Sequence, residues 1–136
     1  MPLAIDSVAV LGAGTMGHAL ALVHALGGCH VSLYDSNPKV LERASSLIKA
    51  ALETLQEAGV ENIMTAAQAT DRIAFVDTLM GAVQSADLVV EAVPEDPEVK
   101  SELYSEVDAY LPEAAILASN TSYLDIFPLI PERLQP

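Results

Sequence analysis

The sequence has few basic residues, a single cysteine and no tryptophan. Its 136 residues include 6 Lys and Arg against 19 Asp and Glu, so the formal net charge is −13 at pH 7. A chain this acidic has no basic stripe to displace counterions from nucleic-acid phosphates, and an anionic membrane would repel it. The lone Cys29 excludes an internal disulfide framework and a cysteine-rich zinc site, and it suits a reducing compartment. We therefore expect no nucleic-acid partner, no membrane partner and no metal.

Long apolar runs and targeting signals are also missing. No run reaches the roughly 20 residues of a membrane span, and residues 1–6 lack the basic segment that opens a secretory signal peptide. Hydrophobic residues nevertheless make up 51% of the chain, which is enough for one core and too much for a disordered acidic tail. The sequence predicts one soluble, cytoplasmic domain.

Short apolar segments alternate with helical patterns along the chain. The predicted strands are residues 7–11, 30–34, 72–76, 87–93 and 114–118. The predicted helices run from 16 to 26, from 38 to 58, around 65–69, and from 97 to 110. Strands that are apolar on both faces and separated by helices are typical of a buried parallel sheet. We predict an α/β domain over residues 1–127 with a doubly wound, mostly parallel sheet and helices on both faces. The proline-rich residues 128–136 are predicted to begin a connecting segment.

A G-x-G-x-x-G motif follows the first predicted strand and opens the first predicted helix. Gly12 permits a tight turn, Gly14 lets the backbone approach a pyrophosphate, and Gly17 allows the helix to lie close to the strand. The free amides of the helix start, near Thr15 and Met16, and the positive end of the helix dipole would face the phosphates. Taken alone, the motif is also compatible with an ordinary glycine-rich loop.

The context of the motif favours a dinucleotide site. Asp35 ends the second predicted strand 18 residues after Gly17, where a carboxylate can accept hydrogen bonds from the ribose hydroxyls. The same charge repels a 2′-phosphate, so it favours NAD over NADP. Asp35 could instead help to cap the next helix, although Asn37 suits that role better. Lys39 and Arg43, further along that helix, could weaken the discrimination. We predict a Rossmann-type NAD-binding domain.

Four segments occur in an order that resembles the N-terminal domain of the L-3-hydroxyacyl-CoA dehydrogenase family. They are V-A-V-L-G-A-G-T-M-G at 8–17, Asp35, D-L-V-V-E-A-V at 87–93 and S-N-T-S at 119–122. The resemblance covers nearly the whole chain. It implies hydride transfer between C3 of an L-3-hydroxyacyl-CoA and NAD, as in the β-oxidation of fatty acids. It also implies an adjoining helical domain that completes the active site and forms a homodimer.

The resemblance further implies roles for residues after the fourth and fifth strands. Asn120 and Ser122 resemble the residues at which the nicotinamide meets the 3-hydroxyl or 3-keto oxygen of the substrate, and we take them as candidate catalytic residues. The implied cofactor contacts in this region are Ala92, Val93, Glu95, Lys100 and Asn120. Two alternatives stay open: the N-T-S segment could cap a short helix from Tyr123, and Glu95 and Lys100 could be solvated surface residues.

The family's general base is a histidine that a glutamate orients, and both follow the S-N-T-S segment in sequence. His18, His24 and His30 all precede that segment, so none has the required place. A base must lie within hydrogen-bond reach of its proton. We therefore expect this chain to bind NAD but not to oxidise a hydroxy acid by itself. The catalytic histidine is expected beyond Pro136.

The substrate class is less well determined than the cofactor. Family members often place lysines, which suit the phosphates of CoA, in the helical region after the second strand, but residues 50–71 contain no Lys or Arg. Relatives that act on free 3-hydroxy acids, similar to lambda-crystallin or carnitine dehydrogenase, share the N-terminal pattern. The S-N-T-S segment favours an acyl-CoA substrate. A free hydroxy acid, or a stand-alone NAD-binding module without chemistry, remains the alternative.

Overall fold

The computed structural model describes residues 4–60 and 64–136, and within them the chain forms one parallel sheet. Its strands are β1 (Ser7–Leu11), β2 (His30–Tyr34), β3 (Ile73–Val76), β4 (Leu88–Glu91) and β5 (Ile116–Ser119). They lie in the order β3-β2-β1-β4-β5, and every neighbouring pair is parallel. The chain reverses its winding direction between β1 and β4, as in a doubly wound sheet. The predicted Rossmann-type α/β fold is confirmed.

In the described ranges, five α-helices connect the strands. They are α1 (Thr15–Leu26), α2 (Pro38–Glu57), α3 (Ala66–Asp71), α4 (Leu79–Val83) and α5 (Pro97–Asp108), and 3₁₀ turns follow at Phe127–Leu129 and Glu132–Leu134. Asn37 caps α2 by accepting a hydrogen bond from the Lys39 amide at 3.0 Å, and Asp96 caps α5 in the same way. A proline follows each cap at the first helical position, where its missing N–H costs no hydrogen bond. None of the helices in these ranges combines the length and the apolar character that a membrane crossing demands.

Alternate residues of the central strands face two separate cores. Val8 and Val10 of β1 point to a cluster formed with α1, α2 and α3, whereas Ala9 and Leu11 point to a cluster formed with α4 and α5. This alternation follows from the period of two in a strand. Helices therefore cover both faces of the sheet, as predicted, and they leave the carboxyl ends of the strands accessible.

The structure differs from the sequence-based expectation mainly at the edges of the sheet. Residues 72–76 were expected to be buried on both faces, but β3 is an edge strand in which Ala74 and Phe75 are exposed. The expected strand at 87–93 ends at Glu91, because the chain leaves the sheet before Pro94. Helix α4 was not predicted, since five residues are too few for a helical periodicity. No helix begins at Tyr123; the next helical turn is the 3₁₀ turn at Phe127–Leu129.

Candidate functional site

A cleft of about 780 Å³ lies beyond the carboxyl ends of β1, β2 and β4. This is the position at which doubly wound sheets bind their ligands, next to the switch point between β1 and β4. The structure brings ten of the twelve predicted site residues into the cleft wall: Gly12, Gly14, Thr15, Met16, Asp35, Ala92, Val93, Glu95, Asn120 and Ser122. The other two, Gly17 and Lys100, are buried behind the wall.

The glycine turn leaves no room for side chains at two of its three glycines. Gly12 has φ +102°, and a Cβ there would lie 2.7 Å from the carbonyl oxygen of Ala92, just after the neighbouring strand β4. A Cβ on Gly17 would lie 1.7 Å from the carbonyl oxygen of Gly12, so α1 packs directly against the turn. At Gly14 nothing lies within 4 Å, and the missing side chain opens space toward the cleft.

The first turn of α1 offers backbone donors to the cleft. Gly14 is the N-cap, and it provides no side chain that could accept hydrogen bonds from the first-turn amides. The first turn contains no acidic residue, so no carboxylate of the helix itself neutralises the positive end of its dipole. Amides of this kind, next to the open space at Gly14, suit the diphosphate of a dinucleotide.

Asp35 links the glycine turn to the end of β2. Its Oδ2 accepts a hydrogen bond from the Ala13 amide at 3.0 Å, and its Oδ1 accepts one from the Asn37 amide at 2.9 Å. The Asn37 side chain makes the cap of α2, and Asp35 contributes to that cap only through its bond with the Asn37 amide. Each carboxylate oxygen retains a lone pair that can accept a further hydrogen bond from the cleft.

The wall beside Asp35 is apolar and acidic. Tyr34 and Leu103 contribute apolar surface, and Glu102 and Glu106 also line the cleft. Burial raises the pKa of the Tyr34 hydroxyl, and the negative charges of Glu106 and Asp35 raise it further. An additional anionic group, such as a 2′-phosphate, would therefore meet several like charges here. Neither Lys39 nor Arg43 lines the cleft.

At the ends of β4 and β5, a buried carboxylate accepts four hydrogen bonds. Glu91 has no exposed surface. Its Oε2 accepts from Lys100 Nζ at 2.7 Å and from the Val93 amide at 2.9 Å. Its Oε1 accepts from the Tyr104 hydroxyl at 2.5 Å and from Ser119 Oγ at 2.6 Å. Burial and the bond to Glu91 raise the pKa of Tyr104 far above its usual range, so this hydroxyl remains a donor.

Lys100 connects this buried group to the wall of the cleft. Its Nζ lies 3.1 Å from Glu95 Oε1, an ion-pair contact without hydrogen-bond geometry, and it also donates to the Val93 carbonyl at 3.4 Å. Since Lys100 is completely buried, the alternative that it is a solvated surface residue is wrong. Lys100 lies behind Glu95 and Val93, and it does not itself line the cleft.

Glu95 holds the segment that follows β5. Its Oε2 accepts a hydrogen bond from Thr121 Oγ1 at 2.9 Å and one from the Ser122 amide at 3.3 Å. Burial acts to raise the pKa of Glu95, but the hydrogen bond from Thr121, the ion pair with Lys100 and the bond from the Ser122 amide together hold it below its usual value. The Asn120 amide donates to the Glu91 carbonyl at 2.8 Å and continues the pairing of β5. Asn120 and Ser122 are therefore fixed through their backbones. Both residues are exposed and form part of the cleft wall.

Sequence reasoning did not identify the roles of Tyr104 and Ser119, which both donate to Glu91. A charged residue inside the apolar segment at 87–93 was the available signal, because a carboxylate in a buried strand requires several donors. The identity of those donors depends on how α5 and β5 pack against β4, and no local pattern reveals it.

The three histidines lie within the described ranges, and none of them lines the cleft. The Nδ1 of His18 lies 2.8 Å from the Gly14 carbonyl, and that of His24 lies 2.8 Å from the Leu20 carbonyl. His30 begins β2 at the opposite end of the sheet, beside a smaller pocket of about 210 Å³. The cleft thus contains carboxylates, amides and hydroxyls but no imidazole.

Comparison with known proteins agrees with this geometry. Residues 7–134 match the family described as 3-hydroxyacyl-CoA dehydrogenase, NAD binding domain. The chain is 37% identical over 135 residues to 5-formyl-3-hydroxy-2-methylpyridine 4-carboxylate 5-dehydrogenase of Mesorhizobium japonicum, covering 96% of this chain and 43% of the relative. It is 36% identical over 122 residues to a Bacillus subtilis protein named probable 3-hydroxybutyryl-CoA dehydrogenase, covering 90% of this chain and 42% of the relative.

A solved structure shows the same fold. The crystal structure of 3-hydroxybutyryl-CoA dehydrogenase from Escherichia coli K12 superposes with a TM-score of 0.83 at 35% identity, covering 93% of this chain and 27% of the other. The chain spans about two fifths of the length of the curated relatives named above. The predicted cofactor, NAD, is confirmed by the family's description. Because the match extends over nearly all residues, this chain belongs to the 3-hydroxyacyl-CoA dehydrogenase family and is an NAD-binding domain of that family.

Proposed function

We propose that this chain forms the cofactor-binding part of an NAD-dependent dehydrogenase, which interconverts an L-3-hydroxyacyl-CoA and its 3-keto form. One observation carries the proposal: a single cleft contains the glycine turn and Asp35 at one end, and Glu95, Asn120 and Ser122 at the other. The first end suits the diphosphate and adenosine ribose of NAD. The second end offers polar groups where the nicotinamide and a substrate oxygen would meet.

The proposed roles follow from this arrangement. Bound NAD supplies the acceptor for a hydride from C3 of the substrate. The chain's own residues orient the reactants: Asp35 accepts hydrogen bonds from the ribose hydroxyls, and Asn120 and Ser122 donate to the oxygen at C3. Glu95 fixes the segment that carries Asn120 and Ser122, because it accepts hydrogen bonds from Thr121 Oγ1 and the Ser122 amide.

A general base for the C3 hydroxyl is proposed to come from outside these 136 residues. No histidine lines the cleft, and the named relatives are more than twice as long as this chain. We propose that a helical domain after the connecting segment at 128–136 carries the histidine and forms the homodimer of the whole cytoplasmic protein. The 136-residue chain alone would then bind NAD without oxidising a substrate.

The acyl-CoA assignment rests on the S-N-T-S segment and on the family as a whole. A substrate without CoA is the second candidate, because a relative of nearly equal identity is named for a substituted pyridine carboxylate. The exposed face of α2 also carries Glu53 and Glu57, and the described part of residues 50–71 has no cation that could meet a CoA phosphate.

Calorimetric titration with NADH and NADPH tests the cofactor site. We expect NADH to bind with one site per chain and NADPH to bind at least about tenfold more weakly, because its 2′-phosphate would lie beside Asp35. Equal affinity for both cofactors would contradict the role of Asp35, and no binding of NADH would overturn the proposal.

The substrate class is tested on the chain already saturated with NADH. Acetoacetyl-CoA, acetoacetate and CoA alone are added in turn while the fluorescence of bound NADH is recorded. An acyl-CoA site predicts that only the thioester changes the fluorescence, whereas a response to acetoacetate favours the free hydroxy acid. Oxidation of 3-hydroxybutyryl-CoA by the purified 136-residue chain with NAD would contradict an external base.

A further inference from the structure

The buried ion pair below the cleft needs an explanation beyond stability. Glu91 and Lys100 are the charged residues of the described core, and neither has exposed surface. Removing two charges from water costs several kcal/mol per ion, and well-packed apolar residues would often serve stability equally well. A fully hydrogen-bonded buried network does, however, restrict the positions of the segments that supply its donors.

The donors of this network come from every segment that surrounds the β4–β5 end of the cleft. Val93 belongs to the loop after β4, Lys100 and Tyr104 to α5, and Ser119 to the end of β5. All of them converge on the one carboxylate of Glu91. The single side chain of Glu91 thus joins these three segments, in addition to the backbone pairing of β4 with β5.

Lys100 extends the network to the surface of the cleft. Its ammonium lies between the buried carboxylate of Glu91 and the partly exposed carboxylate of Glu95, at 2.7 and 3.1 Å. Glu95 in turn accepts hydrogen bonds from Thr121 and Ser122. A displacement of Glu91 would therefore be transmitted, through Lys100 and Glu95, to the segment that carries Asn120 and Ser122.

We propose that Glu91 is a positioning residue for the nicotinamide half of the cofactor, held in place by Lys100, Tyr104 and Ser119. This inference rests on the proposed function, because it takes Glu95, Asn120 and Ser122 as the residues beside the nicotinamide. Glu91 itself has no exposed surface and does not line the cleft. It acts through the groups that it fixes.

Within the described residues, no side-chain hydrogen bond joins the glycine turn or Asp35 to this network. Asp35 is bonded to Ala13 and Asn37, and the Gly12 amide donates to the Tyr34 carbonyl at 2.8 Å. Loosening the network should therefore weaken binding of the nicotinamide and leave binding of the ADP-ribose part of the cofactor unchanged. NADH and ADP-ribose differ by the nicotinamide, so the ratio of their affinities measures the effect.

The test uses two variants that each remove one donor to Glu91 and keep the pair of Glu91 and Lys100. Tyr104→Phe removes a hydroxyl and retains the buried ring, and Ser119→Ala removes the Ser119 hydroxyl. Tyr110→Phe is the matched control, because Tyr110 is exposed just after the same helix. Thermal unfolding confirms that each variant is folded, and calorimetry gives Kd for NADH and for ADP-ribose.

We expect Tyr104→Phe and Ser119→Ala each to weaken NADH binding by about fivefold, a part of what one hydrogen bond to a charged group contributes. The affinity for ADP-ribose should stay within about twofold, and Tyr110→Phe should change neither ligand. A parallel loss for both ligands, or no loss for either, would overturn the positioning role while NADH binding by the unmodified chain still stands. Failure of the unmodified chain to bind NADH would instead remove the proposed function on which the inference rests.

Discussion

The two ends of the cleft are built by different means. The end formed by β1 and β2 consists mainly of backbone: a turn at Gly12 with positive φ, an uncapped helix start, and one carboxylate bonded to two amides. The end formed by β4 and β5 consists of side chains that meet at Glu91, with Lys100 completely buried beside it. A backbone site depends on where glycine is allowed, whereas a side-chain site depends on which donors reach one another.

The difference determines how each end responds to substitution. At the glycine turn, added volume is the damaging change, because a Cβ would meet a backbone atom that cannot move independently. At the Glu91 network, a removed hydrogen bond is the damaging change, because a buried acceptor loses a donor. Substitutions of the two kinds can therefore distinguish the contributions of the two ends of the cleft to cofactor binding.

Gly17→Ala should have the largest effect. Its Cβ would lie 1.7 Å from the Gly12 carbonyl oxygen, so either the turn or helix α1 must move. We expect a loss of about 3 kcal/mol in the free energy of unfolding, or roughly 10 °C in Tm, together with loss of NADH binding. Thermal unfolding and calorimetry measure the two effects. An unchanged Tm would show that the turn is not close-packed against the helix.

Gly14→Ala is the matched substitution within the same motif. A Cβ on Gly14 meets nothing within 4 Å and would project into the cleft, so we expect the domain to fold with a Tm within about 3 °C of the original. The added methyl group should still hinder the diphosphate and weaken binding of NADH and ADP-ribose alike, by about tenfold. Unchanged binding would argue against close approach of a phosphate at this position.

Asp35→Asn tests the one side chain on which the backbone-built end depends. Asparagine is similar in size and keeps one acceptor oxygen, but it removes the charge that opposes a 2′-phosphate. We expect NADH to bind more weakly and NADPH more tightly, so that the preference for NADH decreases by about fivefold. Calorimetric Kd values for both cofactors provide the measurement, with Asp77→Asn, an exposed substitution outside the cleft, as the control. A preserved preference would assign the discrimination to Glu102 and Glu106 instead.

The sequence predicted the backbone-built end more completely than the side-chain end, for a physical reason. The glycine turn and Asp35 each follow a strand directly, so their places are determined by local backbone geometry and by two parallel strands that end at the same edge. The resemblance added Glu95, Asn120 and Ser122, whose segments the structure brings into the same cleft. Their roles toward a ligand remain predictions.

The contacts of Glu91 could not be predicted in the same way. They join residues up to 28 positions apart, from Glu91 to Ser119, and depend on how α5 lies against β4. The helical pattern of residues 97–110 predicts a buried stripe of Val99, Leu103, Val107 and Tyr110. In the structure Val107 is buried, whereas Val99 and Tyr110 are exposed and Lys100 is buried instead. Similarly, the exposure of Ala74 and Phe75 in β3 follows from the place of this strand at the edge of the sheet. Strand order cannot be deduced from hydrophobic periodicity alone.

Acid should weaken the contacts of Glu95 at the side-chain end, and this is the smallest effect that we expect. The hydrogen bonds to Glu95 hold its pKa below its usual value in the folded protein, so its ionised form stabilises the folded state. That contribution is present above the ordinary carboxyl pKa and is lost as the pH falls through the lower folded value. Glu95→Gln should therefore lower Tm slightly at pH 7, and the difference from the unmodified chain should decrease as the pH falls through the folded pKa of Glu95.

A control for this last prediction is Glu113→Gln, at an exposed position in the turn before β5. Its Tm should follow that of the unmodified chain at every pH, because an exposed carboxylate without a fixed partner contributes little to stability. If Glu95→Gln differed from the unmodified chain equally at pH 7 and pH 3, its effect would come from packing or hydrogen-bond geometry and not from charge. The segment that carries Ser122 would then be held by the shape of Glu95, and the contrast between the two ends would concern geometry alone.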